Sequence, residues 1–105
     1  MTGLKFDEDK PMMVLVPPAA LKEVAKVATF GAKKYGAANY LEGLELSRML
    51  SAVYRHINSV TLGEDTDPES GVDHLAHAAL GLMMAVELRA LGRIVDDRHE
   101  AYKRS

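Results

Sequence analysis

From Ala78 through Val86 no residue carries a polar side chain, and Gly81 is the only break in an apolar run of Ala, Leu, Met and Val. A helix that is apolar on every face has to be covered on every side. A chain of 105 residues supplies one core and buries only about two-thirds of its unfolded surface. The run is therefore expected to be the central rod of a helical bundle, with a second copy of the chain helping to cover it. Strands favour aromatic and β-branched residues in period two, whereas aromatics make up only 6% here and the apolar residues fall at helical spacing. The expectation is an all-α domain over residues 1–105, with three main helices and a short C-terminal one, completed by oligomerisation.

Start and stop signals place these helices. Pro18 suits a first helical position, and Leu21, Val24, Ala25, Ala28 and Tyr35 make one face of a helix that stops at Gly36. Gly31, inside that pattern, predicts a close backbone approach or a split. A second helix is predicted from Ser47 to Leu62, with Leu50, Val53, Tyr54, Ile57 and Thr61 repeating at three and four and Gly63 ending it. Asp67 as cap, Pro68 at the first position and Glu69 in the first turn predict a third helix from Pro68 to Leu91. A charged fourth helix is expected over Ile94 to Lys103. The short apolar stretch Met12 to Val16 is expected to pack, extended, against the core.

Several function classes drop out. The apolar runs fall short of the ~18–20 residues that cross a bilayer. Met1 to Lys10 is polar and acidic, unlike the basic start and apolar stretch of a signal peptide. There are no cysteines, which excludes disulfide frameworks, thiol nucleophiles and thiolate zinc sites. A net charge of −2 provides no basic field for nucleic acid. The expectation is a cytoplasmic protein with no membrane or direct nucleic-acid partner.

The chemistry concentrates in His56 and in Glu69-Ser70-Gly71-Val72-Asp73-His74-Leu75-Ala76-His77. On a helix starting at Pro68, Glu69, Asp73 and His77 form a staircase four residues apart, with His74 beside His77. His56, on the preceding antiparallel helix, falls at a matching height. Two readings stay open. In one, Glu69, Asp73, His74 and His77 gather Mg²⁺ or Mn²⁺, hard cations that prefer carboxylate oxygens and keep exchangeable waters. Glu69 then serves catalysis through the metal, a neutral histidine, His56 or His77, acts as general base or orients the nucleophile on a polyphosphate, Lys33, Lys34 and Arg55 neutralise its charge, and Asn39 with Tyr40 contacts a base. In the other, Glu69 complements the helix dipole, Asp73 is solvated, the histidines are satisfied partners inside the bundle, and Lys33 and Lys34 are a solvated helix end.

The string Phe30-Gly31-Ala32-Lys33-Lys34-Tyr35-Gly36, then Asn39-Tyr40, Tyr54-Arg55-His56, Gly63-Glu64-Asp65 and Asp67-Pro68-Glu69-Ser70-Gly71-Val72-Asp73-His74-Leu75-Ala76-His77-Ala78 resembles the phage and bacterial dATP/dGTP diphosphohydrolase N-terminal domain family. That family is similar in character to the MazG-like all-α nucleoside triphosphate pyrophosphohydrolases. The resemblance covers residues 5–92. It implies an oligomeric helical bundle, a homodimer or homotetramer. It also implies Mg²⁺- or Mn²⁺-dependent cleavage of a purine deoxynucleoside triphosphate between its α and β phosphates, giving a monophosphate and pyrophosphate, in a bacterial or phage-infected cell. Carried over by position, it points to Arg55, His56, Glu69, Asp73, His74 and His77 in the site, with Lys33, Lys34 and Asn39 in binding. The sequence departs from the MazG-like pattern of Glu-x-x-Glu on one helix and Glu-x-x-Asp on the next. Here the second pair becomes Glu69-x-x-x-Asp73, and Arg55-His56 stands on the first helix. A non-catalytic nucleotide- or protein-binding helical module is the alternative, and a phosphohydrolase releasing triphosphate or orthophosphate is a third.

Overall fold

Three helices carry the architecture of the computed structural model, which describes residues 8–104. They are α1 (Pro18–Tyr35), α2 (Leu46–Thr61) and α3 (His74–Ala90). The predicted lead-in falls partly on residues 1–7, outside the described residues. α1 begins with proline in its first turn and ends at Gly36, as the start and stop signals require. α2 starts and ends one residue earlier than predicted. α3 packs against both of the others, most extensively against α2.

The third helix starts later than its sequence signals predict. Asp67 does accept a hydrogen bond from the Ser70 backbone N–H at 3.1 Å, as a cap would. Gly71, however, turns into the left-handed region at φ +72°, which glycine adopts at little cost. Its N–H donates to the Asp67 carbonyl at 2.8 Å, and the Asp67 N–H donates back to the Val72 carbonyl at 2.9 Å. The segment closes into a loop joined by a Thr66–Asp73 bridge. Asp73 then caps α3, its carboxylate accepting from the Leu75 N–H at 2.8 Å. Pro68-Glu69 thus mimics a helix start that the next glycine cancels, and the staircase of Glu69, Asp73 and His77 does not form.

The predicted fourth helix is also replaced. Ile94–Val95 forms a strand, β2, parallel to β1 (Leu44–Glu45), with Leu44 opposite Ile94. Among the described residues only a single 3₁₀ turn, Glu100–Tyr102, follows. β-branched Ile94 and Val95 suit an extended chain. The C-terminal segment then anchors the entrance to α2. The Arg93 guanidinium donates to the Leu41 carbonyl at 2.9 Å, and the Asp97 carboxylate accepts from both the Ser47 N–H and the Ser47 hydroxyl. An acid from a distant segment thereby satisfies an otherwise orphaned N–H of α2 and complements its dipole.

Val24, Val27, Val72 and Ala76 form one buried cluster, joined by Ala79 and Leu80. Leu46, Met49, Val53 and Leu88 are also buried. The predicted apolar faces are rotated: Val27 and Met49 are inside, whereas Leu21, Tyr35, Tyr54 and Ile57 are exposed. Met12 to Val16 does not pack extended against the core; it forms a 3₁₀ turn over Met13–Leu15 and remains exposed. Leu75, Leu82, Met83 and Val86 of the apolar rod are likewise open, between 46% and 66% exposed. The three described helices leave this face uncovered.

Two glycines give opposite packing predictions. A Cβ on Gly81 would sit 2.7 Å from Val53 Cγ2. Valine is stiff about χ1, so α2 and α3 would have to separate. Gly81→Ala is expected to cost about 1–3 kcal/mol. Gly31 neither splits α1 nor meets a neighbour, since a Cβ there has nothing within 4 Å. Gly31→Ala is expected to gain about 0.5–1 kcal/mol of stability. Urea denaturation of the two variants beside the parent checks both signs.

Candidate functional site

α2 ends in a turn that positions the first acid of the site. The Gly63 N–H donates to the Val60 carbonyl and the Glu64 N–H to the Ser59 carbonyl, each at 2.9 Å, with Gly63 at φ +94°. This is the glycine-dependent closure that satisfies the last carbonyls of a helix. It leaves Glu64 just beyond α2, facing the first turn of α3.

There Glu64 Oε1 lies 2.7 Å from His74 Nε2. His74 Nδ1 lies 2.8 Å from His56 Nδ1 on α2. His74 is the most buried polar residue described, at 4% exposure. A carboxylate only accepts hydrogen bonds, so His74 Nε2 carries the proton. In the uncharged pair, His74 Nδ1 is then the acceptor and His56 Nδ1 the donor. His56 Nε2 is left with a free lone pair. The hydrogen-bond pattern assigns these tautomers. Burial holds His56 below the ordinary histidine range, helped by the neighbouring imidazoles of His77 and His74 and by the Arg55 guanidinium.

A second line of side-chain contacts meets the Glu64–His74–His56 line at His56. Its ring stacks on that of His77, centroids 4.6 Å apart and planes 14° from parallel. The Ser70 hydroxyl donates to Asp67 Oδ2 at 2.8 Å and accepts from His77 Nε2 at 2.6 Å. His77 Nε2 also lies 3.3 Å from Asp67 Oδ2. Burial alone would raise the Asp67 carboxyl, but the two bonds from Ser70, with His77 nearby, outweigh it and hold the group low. Burial depresses His77 despite the pull of Asp67. Both stacked imidazoles are therefore neutral around pH 7.

That neutrality has a measurable consequence. The unfolded histidines titrate near 6.5 and the folded His56 and His77 titrate lower. Between those values the unfolded chain binds more protons, so acidification favours unfolding. The melting temperature is expected to fall as pH drops below about 6.5, and to fall less steeply in His77→Gln. A melting temperature independent of pH through this window contradicts the assignment.

The predicted residues separate into three groups. His56, His74 and His77 come together. Glu69 instead pairs with Lys34 at the end of α1, a contact that raises the Lys34 pKa, and Asp73 is the α3 cap. Lys33 and Asn39 are exposed, with Asn39 opening a 3₁₀ turn. Arg55 is exposed and forms no ion pair among the described residues. Glu69, Asp73, His74 and His77 do not converge as a ligand set. Both nitrogens of His74 are engaged within the protein, and no three His, Asp or Glu side chains among the described residues form a group that could hold a metal ion. The acids that engage the imidazoles are Glu64 and Asp67, with Ser70. Sequence reasoning missed Glu64 and Ser70 and gave Asp67 only a capping role. The signal was the run of Gly63-Glu64-Asp65 directly after a helix stop, whose direction depends on the turn.

Comparison with known proteins settles the ancestry. The family model for the N-terminal part of dATP/dGTP diphosphohydrolase matches residues 1–98. The chain belongs to the dATP/dGTP diphosphohydrolase N-terminal family. Within it, the "dATP/dGTP diphosphohydrolase" of Salmonella phage PMBT28 is 44% identical over 98 residues, which is 93% of this chain and 33% of that protein. This family member thus spans about a third of the length of the curated relative it matches. No solved structure matches it. No helix among its described residues is long and apolar enough to cross a membrane.

Proposed function

We propose that this chain takes part in the hydrolysis of purine deoxynucleoside triphosphates to the monophosphate and pyrophosphate. The observation that carries the reading is the Glu64–His74–His56 line, which leaves one imidazole nitrogen basic at a partly open position beside Arg55. In this reading His56 Nε2 takes a proton from water as the water oxygen bonds to the α-phosphorus. The bond from the α-phosphorus to the α–β bridging oxygen breaks, and pyrophosphate leaves. The resulting charge on His56 is stabilised through His74 by Glu64, an arrangement general bases use to fix tautomer and orientation. Lys34 and Arg55 offset phosphate charge. Mg²⁺ or Mn²⁺ would accompany the substrate triphosphate as its counter-ion, offsetting phosphate charge. The reading includes a cytoplasmic homo-oligomer, dimer or tetramer, in which the open apolar face of α3 is covered.

The test is incubation of the purified chain with each dNTP and Mg²⁺ or Mn²⁺, following pyrophosphate release, with light scattering for the assembly. Release from dATP or dGTP is expected. Consumption of no dNTP overturns the catalytic role. A second reading, a nucleotide-binding module whose imidazoles tie α2 to α3, draws support from the engagement of those imidazoles with one another and with Glu64 and Ser70. It predicts that nucleotide alone raises the melting temperature without turnover.

A further inference from the structure

Ser47, Arg48, Ser51 and Arg55 line an open groove of about 360 Å³ along α2. Residues 47, 51 and 55 fall four apart and share one stripe of the helix, with Arg48 flanking it. Arg48 and Arg55 stand two turns apart, about 10.5 Å along the axis. The lining therefore presents two guanidinium groups and two hydroxyls, all hydrogen-bond donors, with no acid among them. Two acids act at one end. Glu45 pairs with Arg48 at 2.8 Å, and Asp97 accepts from the Ser47 hydroxyl. Arg55, at the other end, is uncommitted to any acid among the described residues, and His56 follows it directly.

We infer that this groove is a polyphosphate subsite, in which Arg55, Ser51 and Arg48 hold the phosphate chain of a nucleoside triphosphate against α2. Guanidinium forks match phosphate oxygens in charge and geometry, and serine hydroxyls add uncharged donors between them. The carboxylate of Asp97 repels an anion from the Ser47 end. The ligand is thus held toward Ser51 and Arg55, the end that adjoins His56. The inference rests on the hydrolase reading for its substrate class, but the groove is testable without turnover.

The experiment is calorimetric titration of the purified chain with inorganic tripolyphosphate, at low and raised ionic strength. Saturable binding that weakens with salt is expected. Arg55→Gln should weaken it about tenfold and Arg48→Gln about threefold, while Lys22→Gln on α1 leaves it unchanged. Circular dichroism of the arginine variants, both exposed substitutions, is expected to match the parent. Wild-type affinity in both arginine variants overturns the subsite. So does tighter binding of a single-stranded oligonucleotide, lost in the same variants, which would make the groove a nucleic-acid contact. If tripolyphosphate binds here and no dNTP is hydrolysed, the subsite stands and the hydrolase reading falls. If dNTP is hydrolysed with unaltered KM in both variants, the subsite falls and the hydrolase reading stands.

Discussion

His56→Asn is expected to lower pyrophosphate release from dATP or dGTP by about 10²–10⁴-fold, the span that a positioned general base contributes. Asparagine suits the comparison because its amide can still donate to His74 Nδ1, replacing the 2.8 Å contact made by His56 Nδ1, while the basic Nε2 is removed. The Glu64–His74 contact at 2.7 Å is thereby preserved, and a large loss of rate with unchanged melting separates chemistry from folding. Glu64→Ala has a smaller predicted effect, together with a changed pH profile. Without the carboxylate, the proton between His74 and His56 is no longer biased to one side. Turnover of His56→Asn within a factor of two or so of the parent would remove His56 from the reaction. The base would then have to come from elsewhere.

Leu88→Ala is expected to have the largest effect on stability. Among the described residues, Leu88 is the one large side chain that is fully buried, at 0% exposure. It lies near the end of α3, and its carbonyl accepts the Arg93 N–H at 2.8 Å where the chain turns toward β2. Removing a buried leucine side chain costs about 2–5 kcal/mol through lost transfer energy and the cavity left behind. Domains are stable by only about 5–15 kcal/mol in total, so the variant stands close to unfolding at physiological temperature. For a chain of this size each kcal/mol shifts the melting temperature by about 4–8 °C. Urea denaturation at fixed protein concentration measures the loss. A change below about 1 kcal/mol would show that the end of α3 collapses around the cavity.

Much of the helical frame was legible in residue order because its signals are local. Pro18 and Gly36 bracket α1, and Gly63 and Gly92 follow the ends of α2 and α3, each acting through backbone freedom within a residue or two. His56, His74 and His77 could be placed in one region because an antiparallel pair brings such positions to similar heights. The loop between α2 and α3 was not legible. Asp67-Pro68-Glu69 carries the same local preference whether a helix continues or stops, and the outcome turned on Gly71 and on the competing cap at Asp73. A shift of six residues in the start of α3 took Glu69 and Asp73 out of the imidazole cluster and brought Ser70 and Asp67 into it.

Residue order alone determined that this chain is helical, where its three rods begin or end most clearly, and that acids and imidazoles gather beside an apolar helix. Those properties follow from period, capping chemistry and composition, which act over a few neighbouring residues. Only the tertiary structure decided which acid meets which imidazole. Glu64 reaches His74 because a left-handed turn redirects the chain after α2, Asp67 reaches His77 through Ser70, and Glu69 goes to Lys34. Hydrogen bonds extend only ~3 Å, so partner choice depends on where the folded backbone delivers each group, and spacing along the chain does not specify that.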